Sequence, residues 1–166
     1  MKVQRLCGLL ILIFMLVGCG SNAKILRPIN NADFSDNSPQ AYSLGKIDIS
    51  TDEVPEHFVA AVKGYLKSEL KKCNLLCQTD SELTRIIDID ITYYRMRSGF
   101  SRMMFGMLAG KDGIKSTIKI LDNKNDSIVG ESEISTFNIM AVGGEDDVAR
   151  MHAEAIVKFI SGNSDA

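Results

Sequence analysis

The chain has 166 residues, 45% of them apolar, with 19 basic residues against 21 acidic ones and a formal net charge of −2. That length suits one domain with a sizeable core. No concentrated basic stripe is present, which sets nucleic-acid binding aside, and no apolar run approaches the roughly 20 residues that a membrane-spanning helix needs.

Lys2 and Arg5 precede an apolar run over residues 6–17 that closes in Leu16-Val17-Gly18-Cys19. The run is too short to span a bilayer, and it lacks the A-x-A-like small-residue site of an ordinary secretory signal. It resembles a bacterial lipoprotein signal. That resemblance implies that residues 1–18 are removed and that Cys19 is acylated. Each buried CH₂ contributes about 0.8 kcal/mol, so one chain holds weakly and two or more hold durably. Gly20 directly after the cysteine implies, by the same resemblance, sorting to the outer membrane, with the domain on its periplasmic face. Removing Lys2 and Arg5 leaves 17 basic residues against 21 acidic ones, a net charge of −4. Cys7 leaves with the signal, so Cys73 and Cys77 remain as an even pair in a compartment where disulfides persist.

After Cys19, residues 20–43 are rich in Asn, Ser and Asp and read as a flexible tether, with an edge strand over 23–27 as the alternative. Residues 44–50 alternate, Ile47 and Ile49 against Asp48, and predict a first strand. Thr51 or Asp52 then offers a capping oxygen before Pro55, and the spacing of Val54, Phe58, Ala61, Val62, Tyr65, Leu66 and Leu70 predicts a helix to Lys72 with one buried face. Cys73 and Cys77 follow at its end. At i, i+4 on a helix the pair is within disulfide range, so a structural staple is expected. A redox-active pair is the competing reading, and its usual spacing is Cys-x-x-Cys.

Residues 83–97 give the clearest strand, Ile87, Ile89, Ile91 and Tyr93 alternating with Asp88, Asp90, Thr92 and Tyr94. Residues 114–122 alternate again, 123–127 carry turn chemistry, and 128–138 form a further strand. If the isoleucines share a buried face, Asp88, Asp90, Lys115, Lys119, Glu131 and Glu133 emerge together on the opposite one and can pair across strands. A last helix opens after Gly143-Gly144, with acids at its positive end and Val148, Met151, Ala155, Ile156, Phe159 and Ile160 on its buried side.

The expected architecture is a two-layer α/β (α+β) sandwich: a mostly antiparallel four-stranded sheet with two helices on one face. The expected divisions are a signal (1–18), an acylated cysteine with its tether (19–43) and one domain (44–162).

Residues 96–110 fit this scheme least. They hold Met96, Met103, Met104 and Met107, with Phe100, Phe105 and Leu108, interrupted by glycines and flanked by Arg97, Arg102 and Lys111. Flexible methionines adapt to irregular surfaces, and apolar patches mark interaction sites. Met103, Met104, Phe105, Met107, Leu108 and Arg102 are therefore candidates for contact with a partner or the lipid interface; the competing reading is a satellite core beneath the loop.

From residue 87 to 160, Arg102, Gly110-Lys111 before a strand, Asp122 ending it, Gly130, Gly143-Gly144 and the helix reaching Phe159-Ile160 resemble the domain-of-unknown-function 4410 family. The chain departs from that pattern in having Asn123-Lys124-Asn125-Asp126 where the family tends to place a tight Thr-Gly turn. The resemblance implies an α/β sandwich akin to envelope-complex subunits, in a lipoprotein or secreted protein with no assigned reaction. Only His57 and His152 could serve as histidine bases. Each falls on a predicted helix without a nucleophile motif or metal spacing nearby, where a lone histidine is usually a surface residue. The expectation is a non-catalytic outer-membrane lipoprotein that needs no cofactor or metal. It would meet the membrane through Cys19 and meet an envelope partner or further copies of itself. The alternative is a periplasmic carrier or sensor holding an acyl chain or peptide between sheet and helices.

Overall fold

Isoleucines spaced two apart build the centre of the sheet, because successive strand residues point to opposite faces. The computed structural model describes residues 20–29, 41–77, 84–97, 111–138 and 144–162. Their elements are β1 (Gly20–Arg27), β2 (Ala41–Ile49), α1 (Glu56–Lys72), β3 (Thr84–Arg95), β4 (Asp112–Asp122), β5 (Ile128–Asn138) and α2 (Glu145–Ile160). They form one sheet in the order β1-β5-β4-β3-β2. Only β2 and β3 pair in parallel, as strands joined through a helix do; the other neighbours are antiparallel.

The sheet thus has five strands rather than the expected four. The additional one is β1, inside the stretch that reads as a tether. The alternative reading of an edge strand over 23–27 is thus the better one for this part, and the tether reading arises because an edge strand with few apolar residues has almost no period of its own. Its order comes from β5: Ala23 stands opposite buried Ile134, and Lys24 stands opposite Glu133, with Nζ 3.3 Å from Oε2.

Ile87, Ile89, Ile91, Ile114, Ile118, Ile120 and Ile134 are buried on one face. Phe58, Val62, Leu66 and Leu70 of α1 cover them together with Val148, Ala149, Ala153, Ile156, Phe159 and Ile160 of α2. Each fully buried large aliphatic side chain is worth about 1.5–3 kcal/mol, so this single apolar layer dominates the stability. The opposite face is a set of charged rungs. Asp88 stands opposite Lys119, and Lys119 opposite Glu131, so on this rung acids and lysines alternate from strand to strand as the sequence pattern predicts.

The helix ends follow local chemistry. Thr51 and Asp52 do not cap α1: Pro55 takes the N-cap position with no side-chain cap, and its carbonyl accepts the amides of Phe58 and Val59. At the other end Asn74 adopts φ 56. The Asn74 amide donates to Lys71 O (3.1 Å) and the Leu75 amide to Leu70 O (2.8 Å), the paired bonds of a Schellman ending. That turn swings the chain off the helix axis and lays it beside β2, where the Cys77 amide donates to Tyr42 O. Helical i, i+4 geometry therefore stops at Cys73, and no disulfide joins Cys73 to Cys77. This corrects the expected staple. Alkylation of the native protein without reductant is expected to add two labels to these thiols; an intact mass showing none would restore the disulfide.

One glycine is dictated by packing. A Cβ on Gly113 would lie 2.3 Å from Phe137 Cδ1 and 2.8 Å from the Thr136 carbonyl oxygen, so Gly113→Ala is expected to destabilise the domain by about 1–3 kcal/mol, the usual range for overpacking, measured by urea unfolding.

Candidate functional site

Strand register collects several features at one end of the sheet. Gly20, the first residue of β1, stands opposite Phe137; Phe137 stands opposite Gly113, and Gly113 opposite Arg95. The position after Cys19 thus shares a rung with the end of β3 and the start of β4, the strands that flank residues 98–110. Ile49 ends β2 on the same side, and both helices begin there.

A buried ion pair holds the two flanks together. Asp112 Oδ1 accepts the Arg97 backbone amide at 2.8 Å and its Nε at 2.9 Å, while Oδ2 accepts an η-nitrogen at 3.3 Å. The two side chains are only 4% and 2% exposed. Such a pair fixes geometry more than it adds net stability, since desolvation offsets much of the attraction. Here it ties the end of the chain after β3 to the start of β4, the two flanks of residues 98–110. Cys19 and the six predicted contact residues, Arg102, Met103, Met104, Phe105, Met107 and Leu108, lie outside the described residues; their flanks, Arg97 and Lys111, lie at this end.

The helix starts are clamped at this end as well. Glu145 accepts the Tyr94 hydroxyl through Oε1 and lies 2.9 Å from His57 Nε2 through Oε2, and the Tyr65 hydroxyl donates to Asp146 at 2.6 Å. His57 is exposed, as a lone helical histidine was expected to be. His152 is not. It is completely buried, with Nε2 2.6 Å from Ser116 Oγ and Nδ1 3.0 Å from Thr136 Oγ1, and Thr136 Oγ1 is in turn 2.9 Å from Ser21 Oγ. Burial pulls its pKa down to about 3, so the ring is neutral. The distance from Ser116 to His152 would suit an activated nucleophile. However, both residues are at most 1% exposed, and a threonine hydroxyl stands where an orienting carboxylate would be. The group is a polar pin through the core, joining β1, β4, β5 and α2. Helical spacing contained the signal for it: His152 follows Val148 and precedes Ile156 by four residues each, on the buried stripe.

Among the described residues, no group of three or more His, Cys, Asp or Glu is placed to hold a metal, and no helix is long and apolar enough to cross a membrane.

No curated protein matches the chain. Among solved structures, a PelC dodecamer from Paraburkholderia phytofirmans is similar, with TM-score 0.59 and 9% identity, over 85% of this chain and 97% of that one. A DUF330 protein from Xanthomonas campestris is similar with TM-score 0.52 and 10% identity, over 86% and 95%. At such identities the likeness is one of fold. A family model described as "Domain of unknown function (DUF4410)" matches residues 26–144, more than half of the chain, and the protein belongs to that family.

Proposed function

We propose that the chain is a non-catalytic lipoprotein subunit of an envelope assembly, held by acylated Cys19 on the periplasmic face of the outer membrane. The observation that carries this reading is the shared rung: Gly20 is paired in the sheet opposite Phe137, so an anchor on the preceding residue would hold the domain directly at the membrane with almost no slack. The end of the sheet that flanks residues 98–110 would then face the bilayer. Met103, Met104, Phe105, Met107 and Leu108 would meet the lipid interface or a neighbouring subunit there, with Arg102 reaching phosphates or acids at the rim. The PelC neighbour is a dodecamer, and a similar fold at the same size favours self-association over a solitary role.

A carrier would need space between sheet and helices. Phe58, Leu66, Leu70, Ile89, Ile118 and Ile156 fill that layer at 0–1% exposure, so nothing in the described interior favours that alternative.

Radiolabelled palmitate fed to cells is expected to label the wild-type chain and not Cys19→Ser, which should accumulate as an uncleaved or mislocalised precursor. Equal processing of both with no label on the wild type would remove the anchor from this reading.

A further inference from the structure

The large apolar side chains that the described residues leave exposed are Ile25, Leu26 and Ile49, at 43%, 45% and 47%. All three lie on the two edge strands, β1 and β2. Their placement is matched across the sheet. One rung runs Ile47, Ile89, Ile118, Ser132, Ile25, so Ile47 and Ile25 stand at the same height and on the same face at opposite edges. The next runs Asp48, Asp90, Thr117, Glu133, Lys24 on the other face. An acid at one edge is thus level with a base at the other, and their side chains are 54% and 67% exposed.

Charge around each edge agrees with this match. Near β2, Asp48, Asp88 and Asp90 outnumber the bases, Lys46, which pairs with Asp48, and Lys119, which stands opposite Asp88; Asp48 is directly opposite Asp90 in the pairing, an arrangement of like charges that weakens a sheet. One oxygen of Asp90, Oδ1, is buried with no hydrogen-bond partner among the described residues. β1 itself carries Lys24 and Arg27 and no acid, although each stands opposite a glutamate of β5, Glu133 and Glu131.

Strand direction also agrees. β1 opposes β5, β5 opposes β4 and β4 opposes β3, while β2 runs with β3, so β1 and β2 run in opposite senses. Rotating a second copy about an axis along the strands brings its β1 antiparallel to β2 of the first. The Ser50 amide donates inward to Ile91 O; by alternation the backbone polar groups of Ile49 and Ile47 point outward, ready to pair. Both edges are bulged at one height, between Leu44 and Ile47 and between Ile25 and Arg27. Farther along β2, residues 75–77 already pair with Tyr42. The open ladder is therefore Ile47, Asp48 and Ile49 against Ala23, Lys24 and Ile25.

We infer that β2 of one copy pairs antiparallel with β1 of a second copy, rung to rung, so that Asp48 meets Lys24 on one face and Ile47 meets Ile25 on the other. Pairing without axial shift is head to tail, and such contacts close into rings when the rotation allows. Joining β1 to β1 would instead bring Lys24 and Arg27 against their own copies. Three rungs are a short contact. The proposal therefore rests on the anchored reading above in one respect, that attachment to one membrane raises the local concentration of copies.

Directly opposed residues of an antiparallel pair have Cβ atoms about 4.5–5.5 Å apart, close to what a disulfide tolerates. In full-length chain with Cys73→Ser and Cys77→Ser, adding Lys24→Cys and Asp48→Cys together and oxidising the membranes mildly should give a non-reducing ladder well beyond dimer. Each single cysteine variant should remain largely monomeric, and a mixture of the two singles should stop at dimer. Equal dimers from either single variant would overturn head-to-tail pairing, and so would a folded double variant that does not cross-link. If the double variant fails to fold, the mass of the otherwise unaltered chain in mild detergent decides: monomer at every concentration overturns the proposal, and multimers that Asp48→Lys reduces at least tenfold in abundance support it. Palmitate label measured on the same samples separates the two ideas. Label without cross-links sinks only the edge pairing, whereas cross-links without label sink only the anchor.

Discussion

Asp112→Ala is expected to remove about 3–5 kcal/mol of stability, the usual consequence of taking one partner from a buried ion pair. The magnitude follows from what is left behind. The Arg97 guanidinium, 4% exposed, would lose a carboxylate that accepts both Nε and an η-nitrogen, and the Arg97 backbone amide would lose its acceptor in the same step. Against a typical total of 5–15 kcal/mol for a domain, this is enough to leave the protein marginal. Arg97→Ala should cost somewhat less, because the backbone amide still reaches Asp112. Arg97→Met combined with Asp112→Leu should recover much of the loss, since well-packed apolar replacements of a buried pair are often neutral or better. Urea unfolding at neutral pH compares the four proteins; an Asp112→Ala chain within about 0.5 kcal/mol of wild type, the range of ordinary surface changes, would show that the pair is not buried in solution. Limited proteolysis adds a local measure, with cleavage within 98–110 rising in Asp112→Ala before global unfolding.

The strongly periodic parts of the chain were readable in the sequence and the weakly periodic parts were not. β3 and β4 announce themselves because Ile alternates with polar or charged residues over about eight positions, β5 by the shorter alternation of Glu131 and Glu133 with Ser132 and Ile134, and α1 and α2 because their apolar residues recur at three and four. β1 was legible only as the alternative to a tether: its eight residues, Gly20–Arg27, contain only Ala23, Ile25 and Leu26 as apolar positions, and its pairing partner lies more than a hundred residues away. The disulfide expectation failed for a related reason. It extended helical geometry past Cys73, whereas Asn74 turns into the left-handed region and redirects the chain. The buried polar pin was missed through a general preference for surface histidines, although three signals were present: His152 on the apolar stripe of its helix, Ser116 within an isoleucine series, and Thr136 two residues after Ile134. A hydroxyl on a buried strand face needs a partner, and the only imidazole on a covering stripe was available to supply one.

That imidazole should make stability depend on pH between neutrality and about 5. His152 is neutral in the folded protein, with a pKa of about 3, while an unfolded histidine titrates near 6.5. Below pH 6.5 the unfolded chain takes up a proton that the folded one refuses, so stability is complete above 6.5 and falls as pH drops towards 3. At about 1.36 kcal/mol per pH unit, the fall between pH 7 and pH 5 is about 2 kcal/mol from this one residue. Charging in place would put an unpaired cation in a fully buried site where only the hydroxyls of Ser116 and Thr136 are at hand, so the domain is expected to unfold locally before it protonates. His152→Gln retains a donor and an acceptor for those hydroxyls but cannot titrate. Its stability at pH 7 should fall by about 1–3 kcal/mol, the cost of imperfectly satisfied buried groups, while its loss from pH 7 to pH 5 should be smaller than that of wild type by about 2 kcal/mol. Urea unfolding of both chains at the two pH values yields that difference directly, with carboxylate contributions common to both cancelling. Equal losses in the two proteins would mean that His152 is solvated and titrates normally in the folded state.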